Sequence, residues 1–339
     1  MKISQVKEIA NAILYEGYLL YPYRHSAIKN RQRWTFGVVY PRAYSEANGG
    51  IEPCTMQTAC LLTGSAEASL NVSVRFLHLL LRSEQRDEPA PPSNTIMSHW
   101  TPDAWEEGIE REISIPDIKL DELLVQPRSL EISFPGNRNI APMEERSSTT
   151  IVREQRPLTG TIRLAAELME RGLYQAHVQI ENTSDSTGQD MSRRDAILLQ
   201  SFVSTHTILQ VRQGAFLSLL DPPVEQQALA QTCQNVRTWP VLVGDPGEHD
   251  TLLSSPIILY DYPQIAPESA GPLFDGTEID EILTLRILTL TDEEKEAMRQ
   301  GDERTRAMLE RTESLTPQQF MKMHGTIRSL RTLPEGGDA

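Results

Sequence analysis

The chain has 339 residues, room for two domains of roughly 100–200 residues each. Hydrophobic residues are 39% and charged residues 23%, a balance that permits a folded core. The net charge of −15 disfavours nucleic acid and anionic membrane surfaces as general partners. No apolar run reaches the ~18 residues of a membrane helix. The longest candidate, Leu77 to Leu81, is strand-sized.

The start, Met1-Lys2-Ile3-Ser4-Gln5-Val6-Lys7-Glu8, is interrupted by charge where a secretory signal would be apolar. Three cysteines, Cys54, Cys60 and Cys233, do not suggest a disulfide framework. Both features predict a cytoplasmic protein in which the sequons at Asn71 and Asn182 go unused. Charge is uneven. Residues 1–47 hold seven basic and three acidic groups, a net +4, leaving −19 on residues 48–339.

In chain order, Ile3, Val6, Ile9, Ala10, Ile13 and Leu14 recur at helical spacing and predict a helix ending near Gly17. Trp34 to Tyr40 reads as a short strand closed by Pro41. Residues 57–82 read as a hairpin, because Leu70, Val72, Val74 and Phe76 alternate with polar residues. Residues 83–98 read as a Pro-rich loop. Ile113 to Ile118 and Leu130 to Phe134 are strand candidates. The polar stretch Asn137 to Ser148 is a candidate domain boundary.

Ile162, Leu164, Ala166 and Leu168 alternate, Glu170-Arg171-Gly172 turns the chain, and Tyr174, Ala176, Val178 and Ile180 alternate back, pointing inward. A loop follows from Asn182 to Gly188. Phe202 to Val211 and Ala215 to Leu220 flank Gln213-Gly214, a second hairpin signal. Residues 224–234 suggest a short helix. Val241 to Val243, Ile257 to Tyr260 and Ile282 to Leu288 read as strands. Thr291-Asp292-Glu293-Glu294 and Thr316-Pro317-Gln318-Gln319 fit capping boxes of C-terminal helices. The predicted class is α+β and β-rich, with antiparallel sandwich or barrel-like sheets, an N-terminal helix and C-terminal helices. The predicted division is an N-terminal α+β domain at 1–147, an antiparallel β-domain at 148–290, and a helical segment with a disordered tail at 291–339.

Strong catalytic templates are missing: there is no G-x-S-x-G, P-loop, G-x-G-x-x-G after a strand, H-E-x-x-H or C-x-x-C. Cys54 and Cys60 could take a metal with His25 or His78. Their spacing is wider than that of structural zinc, and Cys60 also fits as a packed thiol. No metal or other cofactor is expected. Asp245-Pro246-Gly247-Glu248-His249-Asp250 could hold a cation, or be a charged turn. His177 and His206 lie within strands and read as structural.

Two segments stand out. In Tyr15 to Trp34, four tyrosines and a tryptophan interleave with Arg24, His25, Lys29, Arg31 and Arg33. Such a mix is enriched at interaction hot spots, and would equally pack across the chain's own acidic body. Asp261 to Glu281 is Pro-stiffened and carries five acids after Tyr262, without EF-hand spacing. It reads either as a solvated acidic loop or as the counterpart of the first segment. The predicted interaction surface joins Tyr21, Tyr23, Arg24, His25, Lys29, Arg31, Arg33 and Trp34 with Asp261, Tyr262, Glu268, Asp275, Glu278 and Asp280.

The run Leu14-Tyr15-Glu16-Gly17-Tyr18-Leu19-Leu20-Tyr21-Pro22-Tyr23-Arg24, continuing through Asn30-Arg31-Gln32-Arg33-Trp34-Thr35-Phe36-Gly37, resembles a family of accessory proteins encoded beside [NiFe]-hydrogenase structural and maturation genes. Ser255 to Gln264 and Leu273 to Leu283 carry the same resemblance, which extends over nearly the whole chain. The family offers no catalytic residues to carry over. Three scattered cysteines exclude the hydrogenase itself, whose subunits need paired C-x-x-C motifs or many cluster ligands. The resemblance implies a scaffold, chaperone or assembly factor that holds a hydrogenase subunit or a maturation protein. The rival expectation is a small-molecule hydrolase using carboxylates of the 261–281 loop.

Overall fold

The computed structural model describes residues 3–14, 34–86, 104–142, 149–186, 193–264, 287–299, 303–316 and 318. These fall into two compact units, one holding every described strand and the other holding the C-terminal helices. The strand-bearing unit is a curled, wholly antiparallel sheet with a few short helices, a β-rich α+β fold.

Strand β1 (Thr55–Arg86) is the spine of the sheet. It pairs with β2 (Trp105–Lys119), β5 (Thr149–Gln155), β7 (Leu173–Asn182) and β8 (Val203–Phe216) along different parts of its length. The main order is β3–β6–β7–β1–β8–β10–β9, where β3 is Arg128–Phe134, β6 is Leu158–Glu170, β9 is Trp239–Leu242 and β10 is Thr251–Ser255. β4 (Asn137–Pro142) hangs on β5.

β1 is apolar on both faces because both are covered. Val72, Val74 and Phe76 join one core cluster with the inward residues of β6 and β7. Leu77, Leu79 and Leu81 join another with Trp34, Tyr40 and Leu198. Helix α1 (Ile3–Leu14) turns Val6, Ile9, Ala10, Ile13 and Leu14 inward, as its spacing predicts. A buried arginine fastens it to the sheet: Arg75 Nη2 donates to Asn11 Oδ1 at 2.6 Å, and Lys7 Nζ reaches Glu112 at 3.2 Å.

The β6–β7 hairpin is as expected, with Gly172 at φ +77° in its turn and Tyr174, Ala176, Val178 and Ile180 buried. A short 3-10 turn at Val224–Gln226 leads into α5 (Gln227–Ala230), within the predicted helical stretch. Two other hairpins do not exist. Residues 57–82 belong to the single strand β1, and β8 runs straight through Gln213-Gly214. The expected loop from residue 83 begins later, since β1 continues to Arg86.

Trp34 to Tyr40 is not a strand. Trp34 at φ 61° and Gly37 at φ +54° break the extended path, leaving one bridge, Val39 to Phe202, before α2 (Arg42–Ala47). The Ile257 to Tyr260 strand is replaced by β10, which ends at Ser255 before Pro256. Two further short helices, α3 (Leu120–Val125) and α4 (Arg194–Leu198), complete this unit.

In the other unit, α6 (Asp292–Arg299) begins with the expected capping box. Glu294 N donates to Thr291 Oγ1 at 3.3 Å, and Thr291 N donates to Glu294 Oε2 at 3.0 Å. α7 (Glu303–Ser314) answers it through Glu313, which takes Arg299 at 3.2 Å. Ile287 and Leu288 lie in a helical turn, not in a strand. The rest of that expected strand, the end of α1 near Gly17, and Pro317 and Gln319 of the second capping box lie outside the described residues, as do the 87–98 loop and Gly188.

Candidate functional site

Of the predicted interaction surface, Trp34, Asp261 and Tyr262 are described. Tyr21, Tyr23, Arg24, His25, Lys29, Arg31 and Arg33, with Glu268, Asp275, Glu278 and Asp280, lie outside the described residues. Trp34 is a core residue, 6% exposed, and its carbonyl accepts Arg194 Nη2 at 2.8 Å. Its ring lies close over Gly108, where a Cβ would sit 3.3 Å away.

Asp261 follows β10 and ties three elements together. One carboxylate oxygen accepts the backbone N–H of Leu242 at 2.8 Å. The other accepts Ser218 Oγ at 2.5 Å, and that hydroxyl in turn accepts the N–H groups of Leu220 and Asp221. Tyr262, at φ 56°, donates its N–H to Leu242 O and its hydroxyl to Glu248 O. Tyr262 packs against the first core cluster and Trp34 belongs to the second.

The other sequence candidates are absorbed into the fold. In the 245–250 turn, Glu248 Oε2 accepts Asp245 N at 3.1 Å, Asp250 accepts Thr251 Oγ1 at 2.8 Å, and His249 Nδ1 donates to Phe216 O. Cys60 is fully buried, which pushes its thiol far above the usual range. Cys233 Sγ accepts the side-chain amide of Gln175 at 3.1 Å. Burial lowers His177 and holds buried His206 down at about 4. Among the described residues, no three His, Cys, Asp or Glu side chains gather as a metal site. No helix among them is long and apolar enough to cross a membrane.

The densest polar constellation is one that sequence reasoning missed. It sits where β1 runs between β2 and β5. Leu80 is paired with both Glu107 and Gln155, and Arg82 with Arg153, which places these side chains on one face. Glu107 divides its carboxylate between Arg82 Nη1 at 3.4 Å and Arg153 Nε at 2.8 Å. Arg111 Nη2 donates to Gln155 Oε1 at 3.3 Å, and the guanidinium lies 4.7 Å from the centre of the Phe134 ring.

Gln155 Nε2 then donates to His78 Nδ1 at 3.2 Å, and His78 Nε2 donates to Arg156 O at 3.0 Å. That chain needs a neutral imidazole with its proton on Nε2. Burial first, and Arg111 second, hold His78 down at about 4, so it is neutral at physiological pH. The available signal was phase. His78 and Arg82 continue the even-numbered rhythm of Val72, Val74 and Phe76, placing polar groups where the pattern calls for core.

The chain matches no protein-family model, and no curated protein matches it.

Proposed function

We propose that the protein acts by binding another protein, as an accessory or scaffold factor in the assembly or maturation of a [NiFe] hydrogenase. The hydrogenase assignment rests on the resemblance carried by residues 14–37, 255–264 and 273–283. The observation that favours binding over hydrolysis is the state of Asp261. Both of its oxygens accept hydrogen bonds from its own fold, which leaves this carboxylate poorly placed as a general base. The acidic chain, net −15, suits a protein partner better than a nucleic acid.

The basic, aromatic stretch from Tyr21 to Arg33 is the proposed contact for a hydrogenase subunit or maturation factor, working in a cytoplasmic setting. The test is affinity purification of the tagged chain from its native host, followed by identification of co-eluting proteins. A hydrogenase subunit or maturation factor is expected, and it should be lost with Arg24→Glu combined with Arg31→Glu while the melting temperature stays put. Co-elution of only unrelated proteins would overturn the hydrogenase assignment. Survival of the partner in the double variant would overturn the assigned contact.

A further inference from the structure

We propose that the free edge of β3 (Arg128–Phe134) is a self-association surface, on which a second copy of this chain adds its own β3 antiparallel across a twofold axis. Among the described residues, β3 pairs with β6 on one side and with no strand on the other. Such an edge presents a row of N–H and C=O groups that fit an extended chain, and folds that do not use an edge guard it with charge, proline or a bulge. Other edges of this sheet are guarded. β9 is four residues long, contains Pro240, and has the N–H and carbonyl of Leu242 taken by Asp261 and Tyr262. β4 ends on Pro142, and β2 carries Glu106, Glu107, Glu110 and Glu112. β3 runs through seven consecutive pairs with β6 without bulge or proline, and Glu131 is its one charge beyond the first position.

The side chains of β3 select a second β3 as the occupant. Copies related by a twofold axis normal to the sheet keep each side chain on its own face, so one residue must meet itself at the axis. Centring on Glu131 opposes two carboxylates, which is destabilising. Of the remaining centres, Leu130 is the one that brings opposite charges together. It sets Ser129 against the second copy's Glu131. Ser129 is paired on its other side with Arg163 of β6, so Arg163 and that glutamate stand two strands apart, about 10 Å, with only a serine between them. Both side chains are long enough to meet over the serine. Both residues are exposed, and no described residue forms an ion pair with either. The twofold axis makes this contact twice.

The opposite face supplies apolar contact. Leu130 is 36% exposed and its β6 neighbour is buried Ile162, so the axis completes a row of two isoleucines and two leucines. Arg128 faces the second copy's Ile132, with its stem over apolar surface and its head in solvent. At the Arg128 end of β3 lies an open groove of about 740 Å³ over Ile118 and Leu123, lined also by Val125, which is 88% exposed. The antiparallel register carries the Pro135 end of the second copy's strand toward this groove and takes its apolar lining out of water.

Sedimentation equilibrium of the full-length chain should show a dimer, twice the 38.2 kDa of one chain. Leu130→Cys should cross-link to its own copy on oxidation with copper phenanthroline, because residues opposed across a strand pair lie within disulfide reach. Leu168→Cys, exposed on β6 and far along the strand from the axis, should not cross-link. Wild type under the same oxidant accounts for Cys54 and Cys233. Glu131→Arg and Arg163→Glu should each weaken the dimer about tenfold, and the two together should restore it. A monomer at every concentration overturns the proposal, whatever other strand the edge accepts. A dimer in which Leu130→Cys fails to cross-link overturns it too, because its interface then lies elsewhere. Loss without rescue in the double variant overturns the charge pairing. Circular dichroism confirms that each variant is folded. If a charge variant fails to fold, the Leu130→Cys and Leu168→Cys comparison still decides.

Discussion

Gly160 lies directly beneath Phe202. A Cβ at position 160 would come within 2.6 Å of the Phe202 ring and 2.5 Å of the Glu181 carbonyl oxygen. Phe202 cannot retreat easily, because it stands edge-on to Phe76 with ring centres 4.7 Å apart. Gly160→Ala should therefore destabilise the fold by about 1–3 kcal/mol, the usual cost of overpacking a filled core. The control is Gly49→Ala. Gly49 has φ +66° and open space around it, so only its backbone preference is lost. Urea unfolding of both variants checks this, and a Gly160→Ala cost below that of Gly49→Ala would contradict the packing argument.

Asn182 is a fully buried hub. Its amide donates to Val39 O at 2.8 Å and to Gln200 O at 2.9 Å, while its oxygen accepts Ser184 N at 2.9 Å. The two amide hydrogen bonds join different stretches of chain to the end of β7. Asn182→Ala should cost about 1–3 kcal/mol by removing the partner of the Gln200 carbonyl and of the Ser184 N–H, while Val39 O keeps the Phe202 N–H. Asn182→Asp should cost more, since it sets a carboxylate against two carbonyl oxygens without a compensating cation. The order of the two midpoints in urea is the test. An Asp variant at least as stable as the Ala variant would mean that the hub relaxes.

The residues that misled the sequence reading show why much of the fold was legible and some was not. Gly64 is paired with Gly214 across β1 and β8. Gln213-Gly214 signals a turn when read alone and accounts for the second hairpin that does not exist, whereas the first rests on the alternation within 57–82. In the structure Gly64 and Gly214 face one another at an irregularity, where the β1–β8 register shifts between Gly64 and Ser69. A Cβ on Gly214 would meet the Thr63 carbonyl at 2.6 Å, so glycine here serves a close approach of two backbones. Local composition cannot separate a bend from a reversal. By contrast, Gly172 closes a real turn because strict alternation resumes at once on both sides. The arginine cluster was illegible for a related reason. Arg82, Glu107, Arg111 and Arg153 come from three strands, and only the register of those strands brings them together.

Asp261 should prove structural. Asp261→Ala removes the acceptor for both Leu242 N and Ser218 Oγ, and should lower stability by roughly 1–3 kcal/mol. Asp261→Asn keeps an oxygen for Leu242 N and should cost clearly less. Thermal unfolding distinguishes them. Equal melting temperatures for wild type and Asp261→Ala would show that these hydrogen bonds do not hold the segment, and would return Asp261 to the list of available carboxylates.

The buried histidines set the acid response. His78 and His206 both have folded-state values of about 4, lowered first by burial and further by Arg111 and Arg75 respectively. In the unfolded chain each titrates near the ordinary ~6.5. On acidification the unfolded state therefore takes up these protons first. Stability is intact above about pH 6.5 and is lost progressively as pH falls toward 4. A difference of this size corresponds to roughly 3 kcal/mol per histidine at the acid end. His177, lowered by burial, adds in the same direction. Between pH 5 and 6.5 most carboxylates remain ionised, so histidines dominate this window. His206→Gln removes one of the two protons, and should flatten the fall in unfolding free energy by up to about 1.4 kcal/mol per pH unit. Urea unfolding at half-unit intervals from pH 5 to 7.5 measures that slope for both chains. Parallel slopes would mean that His206 is protonated in the folded state as readily as in the unfolded one.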